Sequence, residues 1–286
     1  MEGNIRSILD DPDYYAIIYK IMKREMLPVS KWTDELFNNR IAAKLSVQNR
    51  DLKFLGVGSG SGEVELMNTL QLLKKFPKIS ITAIEPAKDH IDEYKELVKK
   101  ESSKVEGVSY SWRQQTLNEY RDEVGTTKKY DVIVAINSAY YFDDIEDTLM
   151  YMHDILEEGG ILLLVLASEN GVSYRIWSRF SAFYKDFSFK KICSVQLTDV
   201  LKNLNLDYET ARMRSGVNVT ECFKDSSQEG QHLIDFLSHV VHLRESVSSD
   251  FYTEFISFLK DSSNTNGSDD TSLFMQTEQE AIFVQK

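Results

Sequence analysis

The sequence predicts an α/β fold, a doubly wound and mostly parallel sheet with helical segments before and after it. Three observations carry that expectation. Apolar, β-branched runs alternate with amphipathic ones through five β/α units, the order that builds a parallel sheet. The first run, Phe54-Leu55-Gly56-Val57, leads into glycines at 56, 58, 60 and 62 and then into an amphipathic segment, which reads as strand, tight loop and helix start. Ile161 to Ala167 is unbroken and apolar, as suits a central strand covered on both faces.

Each element follows in order. Residues 5 to 47 read as helical, with Tyr14, Ile17, Ile18, Ile21 and Met22 near the spacing of one helix face. Pro28 breaks this segment, and Trp32 to Leu45 resumes it with Leu36, Phe37, Ile41, Ala42 and Leu45 inward. Leu52 to Val57 is the first strand, and a helix from about Glu63 to Phe76 ends at Pro77. Ile79 to Ile84 is the second strand, closing at Glu85-Pro86, and a charged helix runs from Asp89 to Lys100. Val108 to Trp112 is the third strand, ending near Gln114, Gln115 and Thr116. Tyr130 to Ile136 is the fourth, stopping at the polar and aromatic turn Asn137 to Phe142. A helix from Ile145 to Leu156 is expected to end at Gly159-Gly160, with glycine as its C-cap. Beyond Ser168 come an aromatic helical stretch from Gly171 to Asp186, a helix from Ser194 to Asn203 and a strand-like run from Asp207 to Met213. A helical block from Gln231 to Leu259, a Ser/Asn/Gly/Asp linker from Asp261 to Asp270 and a short strand from Glu280 to Val284 complete the chain.

Composition narrows the partners. With 286 residues, 42% hydrophobic and 27% charged, the chain has an ordinary globular balance for one large domain or one domain with an appendage. A net charge of −12 argues against nucleic acid, which needs clustered Lys and Arg, and is compatible with a small cationic substrate. Cys193 and Cys222 follow no metal-ligand spacing, so free thiols and no metal are expected. The N-terminus has no signal-peptide pattern and the longest apolar run is too short to span a bilayer, so a cytoplasmic protein without a membrane partner is expected.

The polar groups at the strand ends are Gly58, Gly60, Glu85, Gln114, Thr116 and Asn137, where doubly wound sheets bind ligands. An acidic residue closing the second strand, roughly 20 residues beyond a glycine loop, is placed to grip a ribose. Two nucleoside cofactors compete for such a site. A dinucleotide calls for a Gly-x-Gly-x-x-Gly step, which Ser61 interrupts, and Glu63 would repel a pyrophosphate at the helix N-terminus. S-adenosylmethionine needs only room for an amino-acid head group and a ribose carboxylate, and the alternate glycines with Glu85 favour it.

Further motifs make the reading more specific. Ile5-Arg6-Ser7, the loop from Leu55 to Glu63, Glu85-Pro86, Tyr94 to Val98, Tyr140-Tyr141 with Asp143, the Trp177 segment, Asp235-Phe236-Leu237 and Leu273-Phe274 together resemble histamine N-methyltransferases over nearly the whole chain. The resemblance implies a class I S-adenosylmethionine-dependent methyltransferase with seven strands, the last antiparallel and supplied by residues 281–284. It implies an N-terminal helical substrate cap at 1–47, a cofactor-binding core at 48–168, and at 169–286 a smaller substrate-binding or lid subdomain plus the last strands. Gly58, Gly60, Glu85, His90, Thr116, Leu117 and Ile136 would surround the cofactor, with His90 standing where the family has glutamine. Asn137, Tyr141 and Gln276 would act on the acceptor, with Asn137 in place of a longer glutamine and Gln276 in place of asparagine. Tyr15, Tyr19, Tyr141 and Trp177 would wall it.

One departure bears on the acceptor. The family places a glutamate for the substrate ammonium where this chain has Pro28, and Glu25 is the nearest carboxylate. Either Glu25 substitutes, or the acceptor is another amine or imidazole. The expected activity is therefore N-methylation of a small amine or imidazole, first of all histamine at a ring nitrogen, by a monomer. A different small aromatic amine or imidazole is the alternative acceptor, and a catalytically silent S-adenosylmethionine-binding or interaction protein is the alternative from another class.

Overall fold

The structure, a computed structural model, describes residues 5–27, 37–47, 50–265 and 271–286. The expected break at Pro28, the helical residues Trp32 to Leu36 and the linker residues 266–270 lie outside that set. One sheet gathers β1 (Leu52–Val57), β2 (Ile79–Ile84), β3 (Val108–Arg113), β4 (Tyr130–Ile136), β5 (Leu156–Ala167), β6 (Tyr208–Asn218), β7 (Ser263–Thr265) and β8 (Leu273–Gln285). Its order is β3-β2-β1-β4-β5-β8-β6, and β7 pairs with β8 off this path. The seven strands of the path answer to the expected seven, and β7 is an added short one. The first five run parallel. Gly159 donates its N–H to the Lys286 carbonyl and Ser168 donates to Glu278, so the numbering runs in opposite senses and β8 is antiparallel to β5.

The helices are α1 (Pro12–Glu25), α2 (Glu63–Leu73), α3 (Lys88–Lys100), α4 (Leu117–Val124), α5 (Ile145–Asp154), α6 (Val172–Arg179), α7 (Ser194–Asn203), α8 (Gln228–Ser238), α9 (Leu243–Ser246) and α10 (Ser249–Asp261), with a π-helix at Phe37–Ala42. Strand order reverses at β1. Right-handed crossovers therefore set α2 and α3 on one face and α4 and α5 on the other, and open a crevice at the carboxyl ends of β1 and β4.

By internal contacts the chain divides into two compact units. The second, Ser30–Leu166, Ile192–Arg212 and Glu280–Lys286, holds the parallel strands. Phe54, Leu55, Ile81, Val132, Ile133, Leu162 and Leu164 are fully buried there, and each stabilises the fold by roughly 1.5–3 kcal/mol. Edge strand β3 differs. Its burial alternates along its length, as a strand with one solvated side should. The first unit, Met1–Val29, Ala167–Lys191 and Met213–Gln279, packs α1 and α8 around Ile8, Ile18 and Val241, with Tyr14, Tyr15 and Phe236 against them.

Several expected boundaries shift for identifiable reasons. Gly159 and Gly160 do not cap α5, which ends at Asp154; they belong to β5. Two residues of β4, Tyr130 and Val132, pair with Leu156 and Ile161, so the residues between bulge out, and Gly159 takes φ +76° to allow it. The helical block after Gln231 is three helices, interrupted where His239 and His242 enter the left-handed region. From Gly171 to Asp186 only α6 is helical, and turns follow it. The linker residues 261–265 are the end of α10 and strand β7. Strands β6 and β8 both extend well beyond the runs expected at 207–213 and 280–284. Among the described residues no helix is long and apolar enough to cross a membrane.

Candidate active site

The second unit builds its site on the glycine loop. Gly58, Gly60 and Gly62 all have positive φ, a backbone that side chains resist. Two of them also face a close neighbour. A Cβ at Gly58 would lie 2.6 Å from Ser138 Cβ, and one at Gly62 would lie 2.0 Å from the Tyr94 ring. Gly60 meets nothing within 4 Å, so its side of the loop is open for a ligand to approach the main chain.

Glu85 fixes the loop from β2. Its Oε2 accepts the Gly60 N–H at 2.9 Å and its Oε1 accepts the Ala87 N–H at 3.0 Å. His90 Nδ1 stands 3.7 Å from Oε1, an ion-pair separation. Burial by itself would raise the Glu85 carboxyl. The neighbouring His90 and the N–H groups of Ala87 and Gly60 outweigh burial and hold the carboxyl below its usual range. The same pairing, with Glu85 as the main cause, raises His90. A carboxylate offers about four lone-pair sites, so Glu85 keeps capacity for the two hydroxyls of a ribose.

Behind the loop lies a carboxyl with no counterpart among the expected site residues. Glu65, 5% exposed, fills the space above Gly56, where a Cβ would lie 1.7 Å from its Oε1. Tyr94 donates to its Oε2 at 3.0 Å. Burial pushes this carboxyl up to about 7, against the hydrogen bond from Tyr94 that lowers it. Its acidic residue type at the start of α2 was the visible signal, but the sequence gives no hint that the side chain folds back.

The other expected cofactor residues sit at strand ends of the same unit. Thr116 caps α4, its hydroxyl accepting the Glu119 N–H and Glu119 reaching back to the Thr116 N–H, so its side chain is already engaged. Leu117 is buried beside it and offers an apolar surface. Ile136 ends β4, and Asn137 follows at φ +54°, its N–H donated to the Val165 carbonyl. Tyr141 has a half-exposed ring (51%) in the next turn; desolvation and then the charge of Glu85 push its hydroxyl up to about 12.

The first unit gathers a second set. Tyr15 and Tyr19, one helical turn apart on α1, stack at 5.6 Å, and Phe236 of α8 lies 6.1 and 6.0 Å from them. Phe236 stands 6.1 Å from His239, which is 5.6 Å from Trp177 and 5.1 Å from Phe189; Trp177 and Phe189 are 5.1 Å apart. Three of the expected aromatic walls thus belong to one continuous run of rings. Phe236, His239 and Phe189 complete it and were not expected. Burial lowers His239 to about 4, so its ring is neutral at physiological pH.

Two expected residues stand differently. Glu25, at the end of α1, accepts from Arg24 Nε at 2.8 Å, and Arg24 also bridges to Glu229. Gln276 lies exposed on β8. Asp235, the buried carboxyl next to Phe236, accepts from the Tyr14 hydroxyl and from the N–H groups of His242 and Leu243. It is committed to holding α1 against α8. Among the described residues no cluster of His, Cys, Asp and Glu could hold a metal ion.

A parallel sheet of this order, with an open glycine loop tied to a ribose-ready carboxylate, defines a class I methyltransferase. Residues 55–162 match the family described as a methyltransferase domain. Mouse (Mus musculus) histamine N-methyltransferase is 30% identical over 228 residues, 77% of each chain. Carnosine N-methyltransferase 2 of Gallus gallus is 34% identical over 204 residues, 69% of this chain and 63% of that protein. Among solved structures, the plantazolicin methyltransferase BpumL in complex with SAH aligns with a TM-score of 0.53 at 14% identity, covering 97% of this chain and 92% of that one, a likeness of fold. The chain belongs to the histamine N-methyltransferase family and is an S-adenosylmethionine-dependent N-methyltransferase. When bound, S-adenosylmethionine supplies an electrophilic sulfonium methyl, and Gly58, Gly60, Glu85, His90, Leu117 and Ile136 would be the residues to hold it.

Proposed function

We propose that the chain methylates a ring nitrogen of a small imidazole, with histamine as the first candidate. The observation that carries this reading is the group of partly exposed rings Tyr15, Tyr19, Phe236 and His239, with the buried Trp177 against His239, flat faces suited to a heteroaromatic acceptor. Histamine and carnosine, named for the two relatives, share an imidazole ring. In this reading Asn137 and Gln276 hydrogen-bond the ring and fix which nitrogen presents its lone pair. Tyr141 stacks on it and favours the cationic character that grows as the methyl arrives. A neutral imidazole needs no strong base, so alignment and exclusion of water suffice. Residues 1–47 would act as the acceptor cap, 48–168 as the cofactor core and 169–286 as the acceptor-binding part. We also read the enzyme as a cytoplasmic monomer, in keeping with its free Cys193 and Cys222.

A second acceptor is favoured by one specific observation. Glu25 is engaged by Arg24, and Asp235 is spent on Tyr14 and two backbone N–H groups. An acceptor with an imidazole but no ammonium group would need neither carboxylate. Asn137→Gly tests the shared part of both readings, because glycine suits the positive φ while removing the amide. Turnover of histamine and of an ammonium-free imidazole should fall while SAH binding persists; unchanged turnover of both would remove Asn137 from the mechanism.

A further inference from the structure

Ser138 follows the left-handed Asn137 at the end of β4 and is 8% exposed. Its Oγ is buried and has no hydrogen-bond partner among the described residues. Folded chains rarely leave such a hydroxyl unmet, so an orphan calls for a missing partner. The glycine loop is directly beside it. A Cβ built on Gly58 would lie 2.6 Å from Ser138 Cβ and 3.5 Å from Oγ, so only glycine at 58 lets the loop lie this close to the Ser138 side chain.

Sheet order tells which part of the cofactor would reach it. In the order β3-β2-β1-β4, the glycine loop of β1 lies between the end of β2, with Glu85, and the end of β4, with Ser138. With the ribose on Glu85, the base and the amino-acid tail must leave in opposite directions. Toward β3 stand the buried, apolar Leu117 and a Thr116 whose hydroxyl is taken by the α4 cap, which suits a flat base. The charged tail is then directed toward β4.

We propose that Ser138 is a further cofactor-binding residue, its hydroxyl donating to the α-carboxylate at the amino-acid end of S-adenosylmethionine. The proposal rests on the cofactor and is independent of the acceptor. It explains why the hydroxyl is unmet and why the β4 turn packs onto Gly58 so closely.

Calorimetric titration of the 286-residue parent chain and Ser138→Ala with two ligands tests it. SAH carries the amino-acid tail, and 5′-methylthioadenosine has the base, ribose and sulfur but no tail. The expected result is about a tenfold loss of SAH affinity in the variant, the size of one hydrogen bond to a charged group, with 5′-methylthioadenosine affinity unchanged. Equal losses for both ligands, or no loss for SAH, would overturn the proposal, the second outcome meaning that the hydroxyl meets only water. Removing an unmet hydroxyl should leave the unliganded melting temperature unchanged or higher. Ser138→Cys, a slightly larger side chain with a weaker donor, should give a smaller loss confined to SAH.

Discussion

The Gly60 N–H points at Glu85 Oε2 over 2.9 Å, so the carboxylate that would hold the ribose also sets the conformation of the loop that would hold the rest of the cofactor. Glu85→Gln should therefore lose more than one contact. The amide keeps the size but has a single acceptor oxygen for two backbone N–H groups, and it loses the charge that pairs with His90. SAH affinity should fall by roughly 10- to 100-fold, equivalent to about 1.5–3 kcal/mol. A variant that binds SAH within twofold of the parent would contradict this role.

Glu65 gives stability a pH dependence of defined sign. Its carboxyl rises from 4.5 to about 7 on folding, mainly through burial. Between those values the folded chain keeps the proton and the unfolded chain releases it. The contribution is fully present below about 4.5 and is lost as pH rises to about 7, by about 3 kcal/mol. Glu65→Gln is neutral throughout, so its stability relative to the parent should improve between pH 5 and pH 8 in urea unfolding. A constant difference across that range would place the Glu65 carboxyl elsewhere.

Gly60 and Gly62 should respond differently to the same substitution. Gly62→Ala drives a Cβ to 2.0 Å from the fully buried Tyr94 ring, besides the strain of φ +78°. It should cost roughly 2–4 kcal/mol. Gly60→Ala meets no atom within 4 Å and should cost only the left-handed strain, about 1–2 kcal/mol, while weakening SAH binding by crowding the open side of the loop. Comparable unfolding midpoints for the two variants would contradict the packing described.

Phe236 touches both Tyr15 and Tyr19 and lies in the other unit from the glycine loop. Phe236→Leu keeps an apolar side chain and removes the ring. The acceptor KM should rise several-fold with SAH affinity unchanged, because the loss of one aromatic contact is on the order of 1 kcal/mol. Equal effects on both ligands would point to general destabilisation.

What could be read from the sequence was whatever is encoded locally. The alternate glycines, the apolar run at 161–167 and a carboxylate closing β2 each leave a signature within a few residues, and these fix the sheet and the cofactor. Gly159-Gly160 misled because paired glycines after a helical run resemble a C-cap, whereas only the pairing of β4 with β5 reveals a bulge. The length of β8 was hidden because 273–279 lack the apolar run of its buried end. On the acceptor side, Tyr15, Tyr19 and Trp177 were visible as aromatics, but Phe189, Phe236 and His239 join them from segments far apart in sequence. Glu65 and Ser138 owe their character to burial, which residue type does not report.

The central claim is methyl transfer to an imidazole nitrogen. Its most direct test incubates the purified chain with methyl-labelled S-adenosylmethionine and, separately, histamine, carnosine, an imidazole without an amine and an aromatic amine without an imidazole, and locates the label by mass spectrometry. The account predicts label on a ring nitrogen of at least one imidazole and none on the imidazole-free amine. Label on the imidazole-free amine alone, or no product from any acceptor by a chain that binds SAH, would contradict it.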